Sequence, residues 1–125
     1  MEVQTTELGR KVLGAAIEVH SDLGPGLLES IYERCMAEEL KACGICFEEQ
    51  VAVPIRYRSA VLDCAYRVDF VVNGELLLEL KAVERTLPIH DAQILTYLKL
   101  MKLRQGFLLN FNVRRMKDGI KSFLL

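Results

Sequence analysis

Apolar residues recur at helical spacing in the first forty positions of the chain. Over residues 8–19 they are separated by three or four positions, and Thr5 or Thr6 is suited to cap the helix that this spacing predicts. A Gly-Pro-Gly sequence at 24–26 interrupts the pattern. Steps of four over residues 28–40 then predict a second helix, and the glycine four residues later gives that helix a C-terminal stop.

The pattern then changes to the alternation of apolar and polar residues that is typical of strands. Residues 45–57 are predicted to form a strand that Pro54 interrupts, and residues 62–72 are predicted to form a second one. An Asn-Gly turn sequence at 73–74 leads into a third strand over 75–83. The apolar residues expected to share one side of the first strand are Ile45, Phe47, Val51 and Val53.

A third helix and one or two further strands complete the prediction. Pro88 suits the first turn of a helix that runs to about Arg104, and residues 107–111 are apolar on both faces, as in a buried strand. A following turn can lead into a last strand over 120–124. The order α-α-β-β-β-α-β, with this last strand added, predicts one α/β (α+β) domain over residues 1–125, in which helices flank a mixed central sheet.

Charge is unevenly distributed along a chain of otherwise ordinary globular composition. The 125 residues are 51% hydrophobic and 26% charged, and the formal charge of −1 excludes a uniformly basic protein that wraps long nucleic acid. Residues 1–98 contain 9 basic and 16 acidic side chains, whereas residues 99–125 contain 7 basic and 1 acidic. The basic tail is suited to contact phosphates; an ordinary solvated face with favourable charge at a helix C-terminus is the alternative.

Neither membrane insertion nor secretion is expected. No apolar run approaches the roughly 18 residues of a membrane span, and the first residues lack a secretory signal, so we expect a cytoplasmic protein. The four cysteines are then expected to be free thiols that act as small apolar fillers. Cys43 and Cys46 do form a CxxC sequence, but it stands where a helix gives way to a strand, and a structural zinc would need two more ligands.

The third strand contains the sharpest chemical feature, the sequence Leu-Glu-Leu-Lys at 78–81. Glu79 and Lys81 are two residues apart and share one face of a strand, while the alternate leucines face the core. Asp69 lies on the preceding strand, so two carboxylates and the Leu80 carbonyl make a hard-oxygen site suited to Mg²⁺. Lys81 beside that site would position or deprotonate a water molecule. The alternative is an exposed strand face with an ordinary Glu–Lys pair.

This site imposes a test on the turn between the second and third strands. A two-residue turn of Asn73 and Gly74 would pair Asp69 with Leu78, and paired residues point to the same side of a sheet. Asp69 would then face away from Glu79. The metal site therefore requires a three-residue connection or a bulge, with Gly74 in the left-handed conformation as one option.

Several motifs together resemble a known family. The sequence Gly-Leu-Leu-Glu-Ser-Ile-Tyr at 26–32 is similar to the signature that names the GxxExxY proteins. Asp69, followed by Glu-Leu-Lys at 79–81, resembles the bipartite motif of the PD-(D/E)XK nuclease superfamily, to which those proteins belong. The resemblance covers nearly the whole chain, and it implies a restriction-endonuclease-like αβββαβ core with one extra N-terminal helix.

The resemblance also implies roles for individual residues. Asp69, Glu79 and the Leu80 carbonyl would bind a divalent metal ion, Mg²⁺ or Mn²⁺. Glu29, from the second helix, would add a carboxylate to this metal site directly or through water, and Lys81 would be the catalytic lysine.

The third helix would contribute one further face to the site. His90, Gln93 and Tyr97 advance by three and four residues and so share that face; Gln93 and Tyr97 are similar to an element that supports the active site in RecB-like members of the superfamily. The alternative for this face of the third helix is half-buried polar packing. For His20, a capping or packing role is expected. The residues expected to contact substrate are Tyr32, His90, Tyr97, Lys99, Lys102, Arg104, Arg114 and Arg115.

Two functions follow as hypotheses. The first is a Mg²⁺-dependent nuclease that hydrolyses phosphodiester bonds of DNA, or less favourably RNA, by attack of a metal-activated water. The alternative is an interaction or nucleic-acid-binding module of the same fold, with weak or lost hydrolysis, for which a homodimer would supply specificity. The intact set of Asp69, Glu79 and Lys81 favours the enzyme. A metal-dependent enzyme for a small phosphorylated compound is a third hypothesis, but it has no motif of its own.

Overall fold

The computed structural model describes residues 6–62 and 66–125. The helices are α1 (Glu7–Leu23), α2 (Glu29–Ala42) and α3 (Pro88–Met101). The strands are β1 (Phe47–Ala52), β2 (Ile55–Tyr57), β3 (Ala60–Leu62), β4 (Arg67–Val72), β5 (Leu76–Lys81), β6 (Gln105–Asn110) and β7 (Ile120–Leu124), and a short 3₁₀ helix spans Met116–Gly119. The predicted order of the helices and of the strands in the main sheet is confirmed. The first predicted strand, 45–57, is divided: β1 ends at Ala52, and Ile55–Tyr57 pairs with Ala60–Leu62 in a separate hairpin, β2–β3.

The helices begin and end largely as predicted. The Thr6 hydroxyl accepts a hydrogen bond of 3.1 Å from the Gly9 amide and caps α1; Thr5 lies outside the described residues. Among the residues that the structure describes, no helix combines the length and apolar character that crossing a membrane requires. The free-thiol prediction holds for the described cysteines, although Cys43 and Cys46 are exposed rather than buried fillers.

The main sheet contains five strands in the order β1-β4-β5-β6-β7 and is mixed. β5 and β6 are parallel, with Lys81 beside Asn110, and the other neighbours are antiparallel. The crossover that parallel neighbours need is α3. Because α3 leaves from the end of β5, its N-terminal half lies at the end of the sheet that also carries Lys81.

Helices cover both faces of this sheet. α1 and α2 pack over one core, which includes the leucines at 76, 78 and 80, as predicted. α3 packs over a second core, which includes Val71 and Leu77. Glu79 and Lys81 alternate with the first set, so they share a face with Leu77, and they continue that face beyond the apolar core.

The connection between β4 and β5 has the length that the metal site requires. Val72 pairs with Leu76, and Asn73 and Gly74 both adopt left-handed conformations, with φ of 52° and 67°. The connection therefore has three residues rather than two, and the Glu75 amide donates a 3.0 Å hydrogen bond to the Val72 carbonyl. Continuing this register places Asp69 opposite Glu79, on the same side of the sheet.

The prediction for the first strand was wrong in one respect. Phe47 packs against the core of α1 and α2, whereas Val51 and Val53 pack against the core of α3. The alternation breaks at Gln50, whose φ of 51° is left-handed. Strand alternation assumes extended backbone at every residue, so one left-handed residue moves those that follow it to the other face. Gln50 stands opposite Asp69 in the register of β1 and β4.

Candidate active site

Two carboxylates occupy the point where the pairing of β4 with β5 ends. The Asp69 amide donates a 3.0 Å hydrogen bond to Glu79 Oε1, and the Leu80 amide donates a 2.8 Å hydrogen bond to Asp69 Oδ2. Each carboxylate thus accepts a hydrogen bond from a backbone amide of the opposite strand, where a regular sheet would have a backbone carbonyl as the acceptor. These reciprocal bonds fix the orientation of both carboxylates, because charge-assisted bonds of this kind are strong.

Glu79 is strongly perturbed by its surroundings. Burial raises the pKa of Glu79 from its ordinary value of 4.5 to about 7, and the negative charge of Asp69 contributes to this rise. The hydrogen bond from the Asp69 amide and the ammonium group of Lys81 act in the opposite direction but do not compensate. These surroundings therefore disfavour the ionised form of Glu79.

Helix α2 brings two further carboxylates to the same place. Glu29 is the first residue of α2, and burial, followed by the charges of Asp69 and Glu33, raises its pKa, while Lys81 lowers it. The pKa of Glu33, one turn later, is raised for the same first reason, burial. The partial positive charge at the N-terminus of α2 favours an acidic residue at Glu29.

Gln50 connects these carboxylates and was not identified from the sequence. Its side-chain amide donates hydrogen bonds of 3.0 and 3.1 Å to the carboxylate of Glu33 and one of 3.2 Å to Asp69 Oδ1. A non-glycine residue with positive φ is uncommon and is found preferentially at functional sites. The signal that could have found Gln50 is its position opposite Asp69, which depends on the non-local register of β1 and β4.

Comparison with protein families identifies the superfamily of the chain. A family model described as the PD-(D/E)XK nuclease superfamily matches residues 6–123. The chain belongs to this superfamily. Neither the curated proteins nor the solved structures gave a match. The mixed five-stranded sheet with flanking helices is the restriction-endonuclease-like fold, and membership implies a nucleic-acid substrate and, in general, the use of divalent metal ions.

Hydrogen bonds of Asn110 and Phe111 hold the backbone at and after Lys81 in place. The Phe111 amide donates a 2.8 Å hydrogen bond to the Lys81 carbonyl, so Lys81 stays paired to the end of β6. Asn110 is 5% exposed; its side chain accepts from the Val83 amide at 3.1 Å and donates to the Val83 carbonyl at 2.9 Å. Asn110 also accepts from the Asn112 amide at 3.2 Å. Asn110 therefore positions the chain on both sides of the sheet end.

Tyr32 was predicted to contact substrate, and the structure gives it a different place. Its side chain is fully buried and stacks on Phe111 with ring centroids 4.7 Å apart. Its hydroxyl donates to the Gly24 carbonyl at 2.6 Å and accepts from the Leu27 amide at 3.2 Å. A buried ring offers no surface to a nucleic acid, so we reassign Tyr32 to positioning the loop that precedes Glu29.

The predicted face of α3 is only partly engaged with the site. His90 Nδ1 accepts a 3.0 Å hydrogen bond from the Leu87 amide and so caps the start of α3. Gln93 is half-buried and lies in the N-terminal half of α3, at the same end of the sheet as Lys81. Tyr97 is half-buried against the α3 core, with its ring centroid 6.3 Å from that of Tyr66.

His20 is buried beside the residue that precedes Arg114, whereas Arg114 and Arg115 are exposed. His20 is 6% exposed, and its Nε2 lies 2.6 Å from the Val113 carbonyl, which agrees with the packing role expected for it. Arg114 and Arg115 follow Asn110 and are exposed at the end of the sheet where Lys81 lies.

Three other basic residues of the tail, Lys99, Lys102 and Arg104, lie at the far end of the sheet. Gln105 pairs with Leu76, at the start of β5, so the preceding Arg104 is about five residues of strand, or about 16 Å, from the level of Lys81. Exposed Lys99 and Lys102 lie at the same far end. The tail therefore does not form one surface around the carboxylates.

The chemistry of the donor groups fits the divalent metal that the superfamily uses. Within residues 6–62 and 66–125, no group of three or more Cys, His, Asp or Glu side chains is arranged to hold a metal ion by itself. Mg²⁺, however, is commonly bound by only one or two carboxylates, with water and substrate phosphate completing its shell. Asp69 and Glu79 supply that pair, and a bound cation would favour the ionised form of Glu79, which burial and the charge of Asp69 disfavour.

Proposed function

We propose that this chain is a metal-dependent nuclease of the GxxExxY group that hydrolyses phosphodiester bonds, with DNA preferred to RNA. The observation that carries the proposal is the reciprocal pair of Asp69 and Glu79 at the end of the β4–β5 pairing, with Lys81 on the same face of β5. An ordinary Glu–Lys pair on an exposed face would not require a second, half-buried carboxylate hydrogen-bonded across the strands.

The proposed roles follow from where each group lies. Asp69, Glu79 and the Leu80 carbonyl would hold Mg²⁺ or Mn²⁺, and Glu29 would contribute directly or through water. The bound metal would lower the pKa of a water molecule and neutralise charge on the phosphate. The Lys81 ammonium group would orient that water or stabilise charge on the phosphate oxygens. Gln93 would support Lys81 from α3.

The proposal is tested by incubating the protein with supercoiled DNA, single-stranded DNA and an RNA oligonucleotide, each with Mg²⁺, Mn²⁺ or EDTA. We expect DNA cleavage that requires the metal and that Lys81→Ala abolishes. Lys11→Ala, which removes an exposed lysine of α1, is the matched control and should cleave normally. Equal cleavage by the wild-type protein and Lys81→Ala would show that a contaminant is responsible and would count against the proposal. Faster cleavage of RNA would reverse the proposed preference.

The alternative function, a weakly active or inactive interaction module, gains support from one surface feature. Leu28 is 72% exposed and Ile31 is 39% exposed, and both flank Glu29. Apolar side chains beside the carboxylates suit a partner or a second copy of this chain. This alternative predicts no cleavage, no metal binding by calorimetry, and a dimer in sedimentation that Leu28→Ser and Ile31→Ser dissociate.

A further inference from the structure

The β2–β3 hairpin is a small ribbon that the five-stranded sheet does not include. Tyr57 is 65% exposed and Val61 is 67% exposed, so the ribbon contributes little to the core beyond the partly buried Ile55. The Val53 amide donates a 2.9 Å hydrogen bond to the Tyr66 carbonyl, which joins the two ends of the ribbon to β1 and β4. Packing in the core therefore does not explain the exposed Tyr57 and Val61 side chains of this hairpin.

The hairpin and its base carry positive charge in the acidic part of the chain. From residue 50 to residue 68 the charged residues are Arg56, Arg58, Asp63 and Arg67, whereas residues 1–98 as a whole hold 9 basic and 16 acidic side chains. The Arg58 guanidinium lies over the Tyr57 ring, 5.6 Å from its centroid. Tyr66, at the base, is 53% exposed. Arginines interleaved with exposed tyrosines match a ligand that has both negative charge and flat rings.

The base of the hairpin lies next to the proposed active site. Arg67 donates a 3.1 Å hydrogen bond to the Gln50 carbonyl, and the Gln50 side chain contacts Asp69. Tyr66 lies three residues before Asp69 along the chain, about 10 Å at strand spacing. Its ring also approaches Tyr97 on α3. A chain that reaches Asp69 from this side must pass over Tyr66 and Arg67.

We propose that the hairpin and its base, through Tyr57, Arg58, Tyr66 and Arg67, bind a single-stranded segment of the nucleic-acid substrate. Bases stack on the two tyrosines, and the arginines contact phosphates. A duplex keeps its base faces inside the helix, so only unpaired bases can use exposed tyrosine rings. The inference rests on the proposed nuclease function for its meaning, but it concerns binding and can be tested apart from cleavage.

The test measures binding by fluorescence anisotropy of a labelled single-stranded oligonucleotide and of the corresponding blunt duplex, with the full chain in the Lys81→Ala background. Stacking of one base on an aromatic side chain is worth enough to predict at least about fivefold weaker single-strand binding for Tyr57→Ala and for Tyr66→Ala. Duplex binding should change less than about twofold, because a duplex has no free base face for either ring. Tyr57→Phe and Tyr66→Phe keep the ring and should bind like their parent.

The arginines are tested by the salt dependence of the same binding. Arg58→Gln should reduce the slope of log affinity against log salt by about 0.7, as expected for one lost phosphate contact to a single strand. Arg10→Gln, an exposed arginine of α1, is the matched control and should leave the slope unchanged.

Several results would overturn the inference. Tyrosine-to-alanine variants that bind single strands like the parent, that lose duplex binding equally, or that are no weaker than the phenylalanine variants would remove the stacking role. Displacement of the oligonucleotide by polyglutamate at equal charge would assign the arginines to an acidic protein partner instead. Absence of metal-dependent cleavage, with tyrosine-dependent binding retained, would refute the nuclease proposal and leave this inference standing.

Discussion

Replacing Glu79 by Gln should stabilise the metal-free protein at neutral and alkaline pH. The folded state raises the pKa of Glu79 to about 7 from its ordinary 4.5, so between these values the folded protein keeps a proton that the unfolded chain has released. The resulting stability is fully present below pH 4.5 and is lost as the pH rises through 7. The amide side chain that Glu79→Gln introduces has no proton to lose and can still accept the hydrogen bond from the Asp69 amide.

The expected size follows from the two pKa values. Each pKa unit corresponds to about 1.4 kcal/mol, so the rise from 4.5 to about 7 gives a difference of about 3 kcal/mol. Glu79→Gln should therefore match the wild-type protein in free energy of unfolding near pH 4.5 and exceed it by about 3 kcal/mol at about pH 8. Glu29 and Glu33 titrate in the same direction, but both proteins contain them, so the comparison largely isolates Glu79.

The assay is urea unfolding followed by circular dichroism, because the chain contains no Trp for fluorescence. Samples with EDTA are measured at intervals from about pH 4.5 to about pH 8, a range that spans both pKa values. Glu18→Gln, which removes an exposed carboxylate of α1, is the control and should follow the wild-type curve. A difference between Glu79→Gln and wild type that does not change with pH, or a variant that is less stable at the alkaline end, would refute the reasoning.

Further predictions concern the groups around the carboxylates. Tyr32→Phe keeps the stacked ring but loses two hydrogen bonds of the hydroxyl, which should lower the free energy of unfolding in urea by about 1–2 kcal/mol; an unchanged value would contradict the positioning role. Asn110→Ala leaves buried backbone groups without partners and should cost about 3 kcal/mol in the same assay, and a loss below about 1 kcal/mol would show that these hydrogen bonds are dispensable. Lys102 ends α3 with a left-handed φ of 58°, so Lys102→Gly should raise the free energy of unfolding by about 0.5–1 kcal/mol. Lys99→Gly, inside the helix, should lower it by about 1 kcal/mol. Equal effects of the two changes would refute this account. Mg²⁺ or Mn²⁺ should raise the thermal midpoint of the wild-type protein but not that of Asp69→Asn, and an equal rise in both would place the metal elsewhere.

The relative positions of site residues that are close in sequence were predictable. Contacts between strands were predictable only where a rule of sheet geometry applied. Glu79 and Lys81 share a face because strands alternate, and the need to bring Asp69 to that face predicted a three-residue connection at 73–75, which the structure shows. The catalytic and metal-binding roles of these residues stay predictions until the assays above are made.

What the sequence did not reveal depends on non-local register and on single backbone conformations. Nothing local distinguishes Gln50 from the charged residues before it, yet its left-handed φ turns Val51 and Val53 to the α3 side and places its amide beside Asp69. Tyr32 belongs to a motif that suggested substrate contact, but burial depends on how α2 packs over Phe111.

The Asp69 carboxylate also favours the observed register of β4 against β5. Residues 70–72 of β4 are buried and apolar on both faces, so apolar burial there discriminates weakly between the observed register and the one that a two-residue turn of Asn73 and Gly74 would give. In that other register Asp69 would point with Leu78 into the core of α1 and α2, where an unpaired carboxylate is strongly unfavourable. The Asp69 side chain therefore disfavours the slipped register, in addition to being a candidate metal ligand. An apolar replacement at this position would remove the penalty on the slipped register. A test of the chemical role of Asp69 therefore needs an isosteric polar replacement, such as Asp69→Asn, that keeps this penalty.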